Sequence, residues 1–110
     1  MVTLPPITEA QWLTQVTDLA DVYGWRWVHF RPAQTVHGWR TPVSGPLGKG
    51  WPDLVLVKDR VLFVELKSDS GKETKEQADV LWCLTCSGAD VAVWRPRDFD
   101  EVVRVLGGQS

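Results

Sequence analysis

Asp53, Glu65 and Lys67 are the residues of this chain whose types and spacing could do chemistry together. Side chains alternate along a strand, so Glu65 and Lys67 share a face with Val61 and Phe63. With Lys58-Asp59-Arg60 as a three-residue connection, Val57 pairs with Val61, Val55 with Phe63, and Asp53 stands opposite Glu65. Directly opposed residues bring their Cβ atoms to about 4.5–5.5 Å, so two carboxylates and one ammonium converge at one end of a hairpin. A two-residue turn would instead set Asp53 against Leu66 and break the cluster.

Two carboxylates that close repel, and each tends to keep a proton unless a cation is present. Their oxygens suit a hard ion such as Mg2+, which fills its other positions with water and phosphate. Such an ion lowers the pKa of its bound water and polarises a scissile phosphate. Lys67 beside the pair would position a water nucleophile or stabilise charge developing on a phosphoryl group. Phosphodiester hydrolysis needs these parts. The alternative is that Asp53 caps a strand while Glu65 and Lys67 form an exposed ion pair worth little. Against it, Val61–Leu66 is apolar on both faces, as a central, covered strand would be. Burying Glu65 and Lys67 at its end without purpose would cost roughly several kcal/mol.

The elements that must hold this cluster follow from periodicity and capping. Thr8-Glu9-Ala10-Gln11 fits a capping box, and the helix it opens runs to about Tyr23 and stops at Gly24. Leu13, Val16, Leu19, Ala20 and Tyr23 make its buried stripe. Glu9 lies on the first turn at the end of that stripe, either as an acid favoured by the helix dipole or pointing towards what the buried face covers. Trp25 to Arg31 alternates as a strand. Pro32 to Pro52 shows little regular pattern, with prolines at 32, 42, 46 and 52 and glycines at 38, 45, 48 and 50. A loop of about 20 residues in a compact domain is functional or disordered, and we expect this one to contact substrate. Strands follow over 53–57 and 61–67, then a helix from about Thr74 through Gln77, Val80, Leu81 and Leu84 to Gly88. A strand over 90–95 and a helix capped by Asp98, bearing Phe99, Val102, Val103 and Leu106, complete the order αβββαβα.

Composition narrows the class. The chain has 110 residues, room for one domain with a hydrophobic core and not for two. Its 44% apolar and 24% charged residues are ordinary for a soluble protein. It shows no membrane-spanning run and no signal-peptide pattern, so we expect a cytoplasmic protein, in the host cytoplasm if viral. The net charge of −2 argues mildly against nucleic acid, but its distribution does not. Residues 24–52 hold Arg26, Arg31, Arg40 and Lys49, both histidines and no acid, a segment that suits phosphates or is simply a solvated surface. Cys83 and Cys86 are expected three apart on one side of a buried helix. A zinc site would need two further ligands, and His29 and His37 are not in ligand spacing.

Gly50-Trp51-Pro52-Asp53, eleven residues, and then Glu65-Leu66-Lys67 resembles the PD-(D/E)xK nuclease motif. The chain is similar, more narrowly, to the small standalone form of the VRR-NUC (virus-type replication-repair nuclease) family. Glu9 matches that family's first-helix acid, and Gln77 the glutamine of its second helix. The likeness covers about residues 7–106. It implies a single α/β domain, 1–110, with a restriction-endonuclease-like core: a mixed sheet flanked by helices, the site at the mouth of the hairpin.

The resemblance further implies Mg2+ or Mn2+ on Asp53 and Glu65, with the Leu66 carbonyl a further ligand and Glu9 contacting the metal or its waters. Lys67 would act on the nucleophile or transition state, and Gln77 would support the site. The amide of Gln77 has its own alternative, as a polar residue of a helix first turn. DNA is the implied substrate, branched or junction-containing, cut by a homodimer in replication, repair or recombination, with no organic cofactor. Arg31, Arg40, Lys49, Trp51, Lys72 and Lys75 are candidate DNA contacts. Of the tryptophans, Trp12, Trp27, Trp82 and Trp94 fall in regular elements and are expected in the core, whereas Trp39 and Trp51 are expected to make contacts. The competing function is an inactive DNA-binding or assembly module of the same fold, which gains nothing from two adjacent carboxylates near phosphate. A restriction-type or exonuclease enzyme would need a specificity or processivity element for which the chain has no room.

Overall fold

Thr8 opens the first helix, α1 (Glu9–Val22), through a complete capping box: its hydroxyl accepts from Gln11 N–H at 3.1 Å, and the Gln11 amide oxygen accepts from Thr8 N–H at 2.9 Å. In the computed structural model of the chain, residues 4–30, 33–35, 38–40 and 43–108 are described, 33–35 and 38–40 by backbone alone. After α1 come β1 (Arg26–His29), β2 (Ala33–Thr35), β3 (Gly38–Arg40), β4 (Leu54–Val57), β5 (Val61–Leu66), α2 (Lys75–Cys86) and β6 (Asp90–Trp94). A short 3-10 turn (Pro96–Asp98) leads into α3 (Phe99–Leu106).

The main sheet has the order β1-β4-β5-β6, with β4 antiparallel to β1 and β5 and with β6 parallel to β5. It is the expected mixed sheet flanked by helices. The connection between β4 and β5 spans Lys58, Asp59 and Arg60, closed by Lys58 N–H donating to the Arg60 carbonyl at 3.0 Å. Val57 therefore faces Val61 and Val55 faces Phe63, the register that carries Asp53 opposite Glu65.

Two strands were not expected from the sequence. β2 and β3 pair antiparallel as a separate two-stranded sheet within the segment read as lacking regular structure. The reason is local: between Pro32 and Pro42 no proline interrupts the chain, and Gln34, Thr35, Trp39 and Arg40 can all adopt extended backbone. Counting breakers over the whole segment hid this stretch.

One face of the sheet buries Leu54, Leu56, Leu62, Val64 and Leu66 against Trp12, Val16 and Ala20 of α1 and against Val102 and Leu106 of α3. The expected α1 stripe shifts by part of a turn. Trp12 joins Val16, Thr17 and Ala20 in the interior, while Leu13, Leu19 and Tyr23 are half-buried. Trp12 also satisfies its indole, donating to the Trp94 carbonyl at 2.9 Å, and the same carbonyl accepts from Lys67 N–H at 3.1 Å. One oxygen so fixes α1, β6 and the end of β5 together, just where the candidate site begins.

Three other expectations fail. Trp27 is 41% exposed and Trp82 69% exposed, so only Trp12 and Trp94 of the four expected core tryptophans are buried; Trp25 is buried as well. Cys83 and Cys86 are exposed free thiols, because α2 buries Val80 and Leu81, and the cysteines fall outside that stripe. Asp98 precedes α3 but does not cap it with its side chain. Its carboxylate accepts instead from Arg95 N–H at 2.8 Å, at the start of the 3-10 turn.

Candidate active site

The site begins where β4 starts. Phe30 N–H donates to the Asp53 carbonyl at 2.9 Å, which extends the β1–β4 ladder to the aspartate's own backbone. Asp53 Oδ2 accepts from Leu66 N–H at 3.0 Å, so one carboxylate oxygen clamps β4 to the end of β5. That is the strand-fixing role considered for Asp53, and it uses one oxygen of two. Asp53 is half-buried and lines an open pocket of about 440 Å³ together with Glu9, Thr14, His29, Phe30 and Leu66.

Glu65 is wholly buried, and both of its carboxylate oxygens lack a hydrogen-bond partner among the described residues. The exposed ion pair is therefore excluded as its explanation. Burial pushes the Glu65 carboxyl up to about 9, with Asp53 the next cause; Glu9 adds to the rise and Lys67 opposes it. The Glu9 carboxyl is also pushed up, first by burial and then by Asp53, with Lys67 again opposing. Three acids and one lysine thus sense one another from α1, β4 and the end of β5.

Lys67 is half-buried, and the loop that follows it is tied down. Arg95 donates to the carbonyls of Ser68 and Gly71 at 2.6 and 2.5 Å, and Arg97 N–H donates to Asp69 at 3.0 Å. Gln77 is the third residue of α2, and its amide oxygen accepts from Thr74 N–H at 2.8 Å in a second full capping box. The start of its helix nevertheless lies against Gly50, three residues before Asp53. A Cβ on Gly50 would come within 2.4 Å of the Glu76 carbonyl oxygen and 2.8 Å of Gln77 N, and Gly50 has φ +102°. Only glycine suits both demands. Gly50→Ala is expected to lose about 1–3 kcal/mol of stability, measured by denaturant melts, by forcing the 44–52 loop off the start of α2.

The candidate DNA contacts scatter more. Lys49 is exposed and pairs with Glu76 at 3.4 Å, an exposed ion pair that holds it little. Lys72 and Lys75 are exposed. Trp51 is not a free loop side chain: it packs edge-on between Phe30 and Phe63, at centroid distances of 6.2 and 5.7 Å. Arg31 and His37 lie outside the described residues, as do the side chains of Trp39 and Arg40.

Sequence reasoning missed His29 and Phe30 as walls of the acidic pocket. The register of β1 on β4, with His29 opposite Leu54, was the signal that would have found them. Among the described residues, no three His, Cys, Asp or Glu side chains form a ready-made metal site. Asp53 and Glu65 are a pair of hard oxygen donors and no more than that.

No protein-family model and no curated protein matches this sequence. Among solved structures, a VRR_NUC domain protein is similar over 93% of this chain and 87% of its own, with a TM-score of 0.58 and 22% identity. The chain shares the fold of that VRR_NUC domain protein. The VRR_NUC-like fold accounts for the antiparallel β4–β5 hairpin beside a parallel β6, flanked by helices. No helix among the described residues is long and apolar enough to cross a membrane.

Proposed function

We propose that this protein is a metal-dependent DNA endonuclease whose site is Asp53, Glu65 and Lys67, acting as a single domain over residues 1–110 with a core of about 7–106. The observation that carries it is Glu65, wholly buried with two unmet oxygens opposite Asp53. A buried carboxylate without a partner is costly, and a divalent cation is the partner that two hard oxygens select. Mg2+ or Mn2+ fits this donor set. Asp53 and Glu65 would hold it, with the Leu66 carbonyl and, from α1, Glu9 as further oxygens. When bound, it would supply Lewis-acid polarisation of a phosphate and a more acidic water.

The chain's own residues do the rest. Lys67 offers an ammonium to a phosphate oxygen or to the attacking water, and its charge also favours ionised Glu9 and Glu65. Asp53 keeps β4 and β5 in register by accepting from Leu66 N–H with one carboxylate oxygen, and it lines the acidic pocket. Gln77 is a positioning residue: it fixes the start of α2, against which Gly50 sets the approach to Asp53. If so, Gln77→Ala and Thr74→Ala should each cost about 1 kcal/mol of stability, with matching losses of cleavage. Unequal cleavage at equal stability would mean that Gln77 touches the reacting groups itself.

The substrate we propose is branched or junction-containing DNA, with Arg31, Arg40, Lys49, Lys72 and Lys75 as backbone contacts, in cytoplasmic replication, repair or recombination. One site cuts one strand, so paired cuts need two copies, and Trp82 offers an exposed apolar side chain to a second one. The test incubates purified protein with labelled four-way junction, flap, nicked, duplex and single-stranded DNA in Mg2+, Mn2+ or EDTA. Junction cutting in metal and a doubled mass by light scattering are expected. DNA binding with no cutting of any substrate would instead identify an inactive DNA-binding module.

A further inference from the structure

A second pocket adjoins the acidic one. It measures about 280 Å³, just under the roughly 300–1,000 Å³ of small-molecule sites, and is lined by Phe30, Val43, Ser44, Leu47, Gly48 and Trp51. Phe30 is a wall of both pockets. Its position is fixed on the site, since its N–H donates to the Asp53 carbonyl, and Trp51 stands two residues before Asp53. Whatever fills this second pocket lies beside the group that reacts in the first.

The walls describe the occupant. Phe30 and Trp51 meet at 82° with centroids 6.2 Å apart, which makes an aromatic corner. A flat ring entering it stacks on one side chain and meets the other edge-on. An aliphatic chain would fit the apolar lining too, but it would gain nothing from the faces of the aromatic corner, which reward a flat ring. A nucleobase is flat and stacks on aromatics. A base inside a duplex must unstack and unpair before it can enter, whereas an unpaired base at a branch is spared most of that cost.

We infer that the Phe30–Trp51 pocket is a subsite for one unpaired nucleobase flanking the scissile phosphate. This rests on the proposed DNA cleavage at Asp53 and Glu65, and it deepens it. Selectivity for branched DNA then follows from a built pocket that requires an unpaired base near the cut, not from the basic residues alone, whose phosphate contacts are blind to pairing.

Two measurements test it, one with cleavage and one without. In the first, an abasic residue is walked along the cleaved strand of a flap or junction under single-turnover conditions. Base–aromatic stacking predicts that one position flanking the cut slows the wild type by roughly 10- to 100-fold. Ser44→Phe, which fills the pocket from an exposed position, and Leu47→Ala, which opens it, should each shrink that ratio, with folding checked by circular dichroism. In the second, a strand carrying 2-aminopurine at that position is titrated with protein in EDTA, where the probe's fluorescence should quench on the wild type and not on Ser44→Phe. Cleavage that no abasic position slows, or quenching that is unchanged in Ser44→Phe, would overturn the subsite. Quenching without any cleavage would sustain the subsite and overturn the nuclease. Neither cleavage nor quenching would overturn both.

Discussion

Replacing Glu65 by glutamine is expected to stabilise the metal-free protein while removing its cleavage activity. Burial, and then Asp53 beside it, push the Glu65 carboxyl from its ordinary 4.5 up to about 9. The folded chain therefore keeps a proton that the unfolded chain gives up above about pH 4.5. The contribution to stability is full below that value, declines as the pH rises through neutrality, and is lost above about pH 9. At pH 7 the loss amounts to on the order of 2 kcal/mol, allowing for screening by water in the adjoining pocket. Glutamine has no proton to lose, so between pH 5 and 8.5 the melting temperature of Glu65→Gln should decline less steeply than that of the wild type, with Glu9 contributing the remaining slope. Added Mn2+ should restore the wild type at pH 8 and leave the variant unmoved. A wild type whose stability is flat over that range, relative to the variant, would show that Glu65 is already paired.

The second large effect belongs to Lys67. Lys67→Ala should lower single-turnover cleavage by about 100- to 1,000-fold, the loss typical of removing one preorganised charge donor. Its fold should survive, because the side chain is only half-buried and the backbone keeps its bond to the Trp94 carbonyl. The substitution also removes the positive neighbour of Glu9 and Glu65, which raises both carboxyls further. The pH at which cleavage rises should therefore shift upward in the variant. A merely structural lysine would change the melting temperature and leave the pH profile where it was.

How much of this was legible beforehand depends on the range of the interaction involved. Capping at Thr8, the three-residue turn at 58–60 and the opposition of Asp53 to Glu65 are short-range, and the sequence pattern carried them. What escaped needed a partner distant in sequence. Trp82 and the cysteines were expected inside α2, but the direction in which a helix faces its sheet is set by packing, and α2 turns Val80 and Leu81 inward. His29 and Phe30 became visible as site walls only once β1 was laid against β4. Gly50 looked like one more loop glycine, yet its close approach to the backbone at 76–77 joins the loop to α2. The unmet oxygens of Glu65 could be suspected from two apolar strand faces, but depth of burial is a property of the whole core.

The central claim is that Asp53, Glu65 and Lys67 hydrolyse DNA with a divalent ion. It is tested most directly by following release of a labelled fragment from branched DNA in Mg2+, Mn2+ or EDTA, with wild type, Asp53→Asn and Lys67→Ala in parallel. Cutting by the wild type in either metal, none in EDTA, and at least about 100-fold slower cutting in both variants is the predicted result. Cutting that persists in EDTA, or full activity in both variants, would contradict it.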